Sequence, residues 1–191
     1  MKKETLLHIF SHIPELETDR LILRAMRVKD ADDMFEYAKN AEVTQYLLWR
    51  PHQTPDYTRR YLEYLAGRYR IGAHYEWAMI HKESGRMIGT CGFANIDCPH
   101  NRAELGYVLN PAYRGQGLVV EAAQRVLRFG FNVLGLHRIE ARYMVENTAS
   151  RRVMDKLGMK FEGVARSAML VHGVYRDIGT CAILAAEYRG A

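Results

Sequence analysis

A glycine-containing loop, Arg114-Gly115-Gln116-Gly117, lies between a strand-like and a helix-like segment and constrains the fold more than any other feature. Residues 102–109 alternate as a strand, whereas residues 118–134 carry apolar side chains at helical spacing. Glycine permits backbone conformations and a close ligand approach that a side chain would block. Because amides at a helix N-terminus attract anions, the loop suits a pyrophosphate, which Arg114 could also contact. A tight connection without a ligand shows the same pattern.

The other segments predict a mixed α+β domain. Period-two alternation or β-rich composition predicts strands, and apolar residues at helical spacing predict helices. Glu83-Ser84-Gly85 separates two of these strands and predicts a hairpin. The predicted strands are 17–27, 76–81, 86–96, 102–109, 138–145, 160–171 and 175–185, and the predicted helices are 31–38, 55–69, 118–134 and 150–157.

The length of 191 residues suits one domain, which we place at residues 17–191 after an N-terminal extension of residues 1–16. No apolar run reaches the roughly 18 residues that a membrane helix needs, so no membrane partner is expected. The short apolar run after Lys2 and Lys3 lacks the features of a signal peptide. Three cysteines without a framework spacing favour a reducing compartment, and we expect a cytoplasmic protein.

The net charge of +5 would favour acidic partners such as the phosphates of a nucleotide cofactor. A solvated basic surface with no partner explains the same charge, and direct nucleic-acid binding is not expected. Cys91, Cys98 and His100 lie close in sequence but lack paired spacing and a fourth ligand, so no metal site is predicted.

Several motifs occur in an order that resembles the GNAT superfamily of acetyl-coenzyme A dependent N-acetyltransferases. Arg114-x-x-Gly117 matches the pyrophosphate signature of that superfamily. Further runs are similar to the branch that includes the ribosomal-protein-alanine N-acetyltransferases: Glu17-Thr18-Asp19-Arg20-Leu21-Ile22-Leu23-Arg24, Glu146-Asn147-Thr148-Ala149-Ser150, Leu157-Gly158-Met159-Lys160-Phe161-Glu162-Gly163 and His172-Gly173-x-Tyr175-Arg176-Asp177. The resemblance covers nearly the whole chain from Glu17.

The resemblance implies a GNAT fold, with a mixed, mostly antiparallel central sheet of about seven strands, splayed in the middle and flanked by about four helices. Acetyl-coenzyme A would be the acyl donor, with its pantetheine arm between strands 102–109 and 138–145. The pyrophosphate would lie on the glycine loop and the start of the next helix. The implied cofactor-binding residues are Val108, Leu109, Arg114, Gly115, Gln116, Gly117, Leu118, Val119, Asn147 and Ser150.

Two catalytic roles follow from the resemblance. Glu104 would accept the proton of the amine, and the Ser150 hydroxyl would reach the sulfur as the proton donor. Glu104 could instead be a surface or paired carboxylate, and Asn147 and Ser150 could be helix caps. Many relatives have a tyrosine acid at the position of Met154, whose side chain cannot donate a proton. Water could also protonate the leaving thiolate.

A second departure from the superfamily is Val119, where many relatives have a smaller residue. The predicted reaction is direct attack of a primary amine on the thioester. The expected acceptor is the N-terminal α-amine of a protein, such as a ribosomal protein. The alternatives are a small amine (a polyamine, amino acid or aminoglycoside) and a non-catalytic acyl-coenzyme A sensor. The chain is expected to be a monomer or a homodimer.

Overall fold

The computed structural model describes residues 2–189, whose strands form one eight-stranded sheet in the order β1-β2-β3-β4-β5-β6-β8-β7. All neighbouring strands are antiparallel except β5 and β6, which are parallel. The strands are β1 (Leu16–Glu17), β2 (Leu21–Arg24), β3 (Tyr75–His81), β4 (Met87–Asp97), β5 (Arg102–Leu109), β6 (Arg138–Met144), β7 (Lys160–Val171) and β8 (Val174–Leu184).

Helices cover both faces of this sheet. One face packs on α1 and α5 through a core that includes Phe10, Trp77 and Leu127. The other packs on α2 and α4 through a second core that includes Met34, Leu62 and Ala78. The helices are α1 (Lys3–Ser11), α2 (Ala31–Ala38), α3 (Ala41–Thr44), α4 (Pro55–Arg70), α5 (Leu118–Asn132) and α6 (Thr148–Lys156). None of the described helices has the length and apolarity needed to cross a membrane.

The two parallel strands separate soon after they begin. The last pair in register between β5 and β6 is Glu104 with Glu140, although β5 continues to Leu109 and β6 to Met144. Beyond that pair the facing edges of the two strands do not pair with each other, and the middle of the sheet opens. The splay implied by the resemblance is therefore present.

The hairpin of β7 and β8 contacts the segment around α3 beside this opening. His172, which lies in the turn of the hairpin, donates a hydrogen bond from Nε2 to the carbonyl oxygen of Thr44 at 3.2 Å. Nearby, Tyr46 and Met169 pack on a small buried cluster that contains Val171. The segment that follows α3 and the hairpin thus meet above the opening, although they are far apart in sequence.

The α+β fold is confirmed, with more elements than expected. Residues 2–189 contain eight strands and six α-helices where the sequence predicted about seven and about four. The extra strand is the two-residue β1, which is too short to show a period. The helix α3 has four residues, also too few for a helical pattern. The helix α1 lies in the predicted N-terminal extension, where Leu6 and Phe10 are buried in the larger core.

Phe10 gives a test of whether α1 is integral to the domain. Its ring is fully buried and makes edge contacts with Tyr75, Trp77 and Phe129. We expect Phe10→Ala to lower the free energy of unfolding by about 3–5 kcal/mol, measured by urea denaturation, because it leaves a cavity among packed rings. Thr5→Ala on the exposed side of α1 should change it by less than about 0.5 kcal/mol. Equal effects would contradict the packing of α1.

Candidate active site

A cavity of about 1000 Å³ passes through the opening between β5 and β6. At one end it is lined by the glycine loop and the start of α5, and at the other by α2, α4 and the segment after α3. It contacts every predicted site residue except Gln116: Glu104, Val108, Leu109, Arg114, Gly115, Gly117, Leu118, Val119, Asn147 and Ser150. The structure thus brings together residues from four separate elements.

The glycine loop has the geometry of an anion site. Gly115 and Gly117 have φ angles of 79° and 78°, in the left-handed region that favours glycine. No side chain caps α5 at Gly117, so the first amides of this helix remain available to a ligand. The helix dipole also favours negative charge there. These observations fit the pyrophosphate group of coenzyme A.

Two arginines hold the loop in different ways. Arg20 donates from Nη1 to the Gln116 carbonyl oxygen at 2.9 Å and pairs with Glu121 on α5 at 2.6 Å. Arg114, predicted to contact phosphate, pairs through Nη1 with Glu42, which also lines the cavity. Arg20 belongs to the family-like run that begins at Glu17, but the sequence indicated no role for it at the loop, which lies about a hundred positions away.

Asn147 and Ser150 lie at the start of α6, where their roles differ. The Asn147 side chain accepts a hydrogen bond from the Ser150 amide at 3.1 Å and is the cap of the helix. The Ser150 hydroxyl lies 2.8 Å from the hydroxyl of Tyr107, which also donates to the Ser150 carbonyl oxygen at 3.1 Å. Tyr107 comes from β5, across the opening, and was not singled out from the sequence. Met154 lies on the same helix, buried, and also lines the cavity.

Glu104 lies on the face of β5 that α2 and α4 cover. The sequence could not show which face of the strand this residue occupies. Its carboxylate accepts two hydrogen bonds from Arg142, at 2.9 Å from Nε and 2.7 Å from Nη2. These bonds raise the pKa of Arg142 above its usual value. Glu104 therefore lines the cavity as one member of an ion pair.

Most other carboxylates that line the cavity are also paired. Glu42 pairs with Arg114, and Glu146 pairs with Arg176 at 3.2 Å. Glu76 on β3 is different, because no described residue forms a hydrogen bond with its carboxylate. Its side chain is 25% exposed and lines the cavity. A carboxylate without hydrogen bonds at this depth is costly unless a ligand completes its contacts.

Desolvation raises the pKa of Glu76 to about 7. His74 Nε2 lies 3.7 Å from Glu76 Oε2. However, desolvation, together with the charge of Arg68, lowers the pKa of His74 to about 4. His74 is therefore neutral at pH 7, and the contact is not an ion pair under those conditions. Glu76 consequently changes its protonation state near neutral pH with no cation to hold it charged.

Aromatic side chains surround Glu76 at this end of the cavity. Tyr37 is buried and its hydroxyl has no hydrogen-bond partner among the described residues. Burial raises the pKa of Tyr61 to about 12, so this hydroxyl stays protonated. Tyr46 and Trp49, from the segment after α3, also line the cavity. Trp77 is in the core, where its Nε1 donates to the Pro14 carbonyl oxygen at 2.7 Å.

No group of three or more His, Cys, Asp or Glu side chains within residues 2–189 has a metal-binding arrangement. Cys91 and Cys181 are buried thiols, and Cys98 is partly exposed.

An anion loop that opens into a cavity between diverging strands defines a site for a long phosphate-bearing ligand and a second reactant. The family model described as "Acetyltransferase (GNAT) domain" matches residues 20–160. The chain therefore belongs to the GNAT family and is an N-acetyltransferase, and members of this family use acetyl-coenzyme A as a substrate.

Known N-acetyltransferases are similar to this protein over most of the chain. It is 35% identical to the uncharacterized N-acetyltransferase p20 of Bacillus licheniformis, over 92% of this chain and 98% of that protein. It is 28% identical to the [ribosomal protein uS5]-alanine N-acetyltransferase of Escherichia coli (87% and 90% covered) and 26% identical to the spermidine N(1)-acetyltransferase of the same organism (87% of each). A GNAT acetyltransferase structure from Bacillus anthracis superposes with a TM-score of 0.81 at 31% identity, covering 91% of this chain and 100% of that one.

Gly117→Glu tests the anion site. We expect the variant to bind coenzyme A about 100-fold more weakly or not at all by calorimetry, because a carboxylate would face the phosphates and the loop would distort. Gly135→Glu is the matched control, because Gly135 also has a positive φ, of 63°, and lies outside the cavity. Equal affinity for the two folded variants would place the pyrophosphate elsewhere.

Glu76→Gln tests the desolvated carboxylate through stability. Because folding raises the pKa of Glu76 from 4.5 to about 7, folding favours its protonated form, and that stability is lost as the pH rises through 7. We expect the variant to be more stable than the wild type by about 1–3 kcal/mol at pH 8.5, with the gain vanishing below pH 4.5. Denaturant titrations across this range measure it, with Glu63→Gln on the exposed side of α4 as control. A gain that does not depend on pH would exclude desolvation as its cause.

Proposed function

We propose that this N-acetyltransferase modifies the N-terminal α-amine of a protein, and that a ribosomal protein is a suitable acceptor. We call the end of the cavity that is lined by α2, α4 and the segment after α3 the acceptor end. The observation that carries this proposal is the charge there. Glu42, Glu104 and Glu146 are neutralised by arginines, whereas Glu76 is not. One unpaired carboxylate matches an acceptor with a single ammonium group.

The walls of the acceptor end favour a small apolar group beside that ammonium. Met26, Met34, Val43 and Trp49 line it together with the tyrosines. An N-terminal residue with a short side chain, such as alanine, would place its ammonium at Glu76 and its side chain against these apolar groups. The uS5-alanine N-acetyltransferase relative agrees with such an acceptor.

A polyamine is the principal rival, since one relative is a spermidine N(1)-acetyltransferase. A polyamine carries several positive charges, and its recognition requires several unpaired carboxylates spaced along the site. The paired arginines of this cavity and the net charge of +5 oppose that arrangement. The peptide N-terminus is therefore favoured.

At the donor end, the splayed edges of β5 and β6 would take the pantetheine arm of acetyl-coenzyme A. Backbone groups near Val108 and Leu109 would complete their hydrogen bonds with its amides. The amides from Gly115 to Val119 would take the pyrophosphate, and Arg114, which uses only Nη1 for Glu42, would offer its remaining N–H groups to the phosphates. Asn147 would stay a helix cap that also positions Ser150.

The leaving thiolate needs a proton, for which Ser150 is the proposed source. Tyr107 holds the Ser150 hydroxyl at 2.8 Å, and burial raises the pKa of Tyr107, which keeps it protonated. A serine hydroxyl alone is a weak acid, and Tyr107 can replace the proton that it gives up only when the tyrosine hydroxyl turns from the Ser150 carbonyl oxygen to the serine oxygen. This arrangement supports turnover even though Met154 cannot act as an acid.

The acceptor is tested by release of thiol from acetyl-coenzyme A with a matched panel. We expect turnover with tetrapeptides that begin with alanine or serine, and at least about 100-fold lower kcat/KM with spermidine, because its second and third charges would be desolvated without partners. The same peptides with an acetylated N-terminus are the controls. Preference for spermidine would overturn the peptide proposal, and coenzyme binding without turnover on any amine would favour a sensor.

A further inference from the structure

We propose that Glu76, on β3, is the general base that takes the proton from the acceptor amine. This rests on the proposed transfer to an amine but not on which amine is the acceptor. The residue belongs to a strand outside the glycine loop and the two splayed strands, and no sequence motif marked it.

The sheet leaves space for the Glu76 side chain to reach the cavity. Gly92 on β4 lies opposite Glu76, where a Cβ would come within 2.3 Å of the Glu76 Cα. Gly106 on β5 is paired with Gly92, and a Cβ there would lie 3.7 Å from Glu76 Oε1. Two adjacent strands therefore lack side chains above the carboxylate. Tyr69 fixes the strand below by donating to the Glu76 carbonyl oxygen at 2.6 Å.

The surroundings of Glu76 leave its carboxylate for a ligand. The titratable groups that face it are the hydroxyls of Tyr37, Tyr61 and Tyr69, the Cys91 thiol and the His74 ring. All of these are neutral at pH 7, because burial raises the pKa of the tyrosines and of Cys91 and lowers that of His74. An acceptor ammonium would be the first cation to reach this carboxylate.

Glu104 is the other candidate base and stands on the same face of the sheet. Its two oxygens are held by Arg142 at 2.9 and 2.7 Å. A carboxylate in such a bidentate pair is a weak proton acceptor, because protonation would leave the guanidinium without its partner. Glu76, with a pKa of about 7, matches the requirement that a base work near neutral pH.

The step balances in atoms and charge. One proton moves from the acceptor ammonium to a Glu76 oxygen, and the nitrogen lone pair then attacks the thioester carbonyl carbon. The new C–N bond forms, the C–S bond breaks and the sulfur leaves with the bonding electrons. The proton that the nitrogen then loses balances the one that the thiolate gains. Glu76 returns its proton to solvent, so each turnover releases one proton.

The test compares Glu76→Gln with Glu104→Gln, using the best amine of the panel, whether peptide or small. At pH 7 we expect Glu76→Gln to lower kcat/KM by about 100-fold or more, with unchanged affinity for coenzyme A by calorimetry. The deficit should shrink as the pH rises towards 9, because the amine then deprotonates in solution. Glu104→Gln should cause a smaller loss that is uniform across pH.

A deficit in Glu76→Gln that does not shrink as the pH rises would overturn the proposal, and so would a deficit in Glu104→Gln that does shrink. A readout without turnover is the ¹³C NMR titration of the Glu76 carboxyl carbon with coenzyme A bound. An alanine-initiated tetrapeptide, or spermidine in a parallel titration, should shift the midpoint downward from about 7 as its ammonium pairs with the carboxylate. A midpoint unchanged by either amine would contradict contact with the acceptor, whereas a shift with spermidine alone would contradict only the peptide acceptor.

Discussion

The interrupted pairing of β5 and β6 is the constraint on which the rest of the structure depends. Three residue pairs join these strands, the last at Glu104 and Glu140, and then their backbone groups face each other without bonding. Buried peptide groups without partners are costly, so such an opening persists only where solvent or a ligand can complete them. Because α5 begins just beyond the end of β5, the same divergence aims the N-terminus of that helix at the gap. One cavity therefore extends from the glycine loop to α2 and α4.

Most glutamates that line the cavity form ion pairs with arginines. Three of its glutamates lie against arginines: Glu42 and Glu146 in exposed pairs at its rim, and the more covered Glu104 in a bidentate pair with Arg142. Glu76 alone bears the cost of a charge without such a partner, and its affinity for protons rises as a result. Functional sites commonly tolerate such a local penalty because a substrate repays it on binding. The stability effect and the proposed basicity of Glu76 therefore have a single origin.

The sequence predicted most of the fold and singled out residues that the structure brings to one cavity. Strand and helix periods placed the main elements, and β5 (Arg102–Leu109) has the predicted bounds because a turn and the glycine loop flank it. Glu76 was included in a predicted strand without any role. The sequence does not indicate what covers its face of the strand, and only the tertiary fold shows that α2 and α4 do so. Tyr107 was missed for the same reason, because its partner Ser150 lies on another element.

The hydrogen bond from His172 to Thr44 joins two segments that are far apart in sequence at one end of the cavity. The proposed donor end is built from one continuous stretch between β5 and α6, whereas the proposed acceptor end is bounded by an early segment and a late hairpin. Changes in hairpin length or composition can therefore reshape the entrance for the second reactant without disturbing the glycine loop. A lineage that kept the central stretch could exchange acceptors by remodelling the two flanks, which would let closely related chains serve chemically different amines.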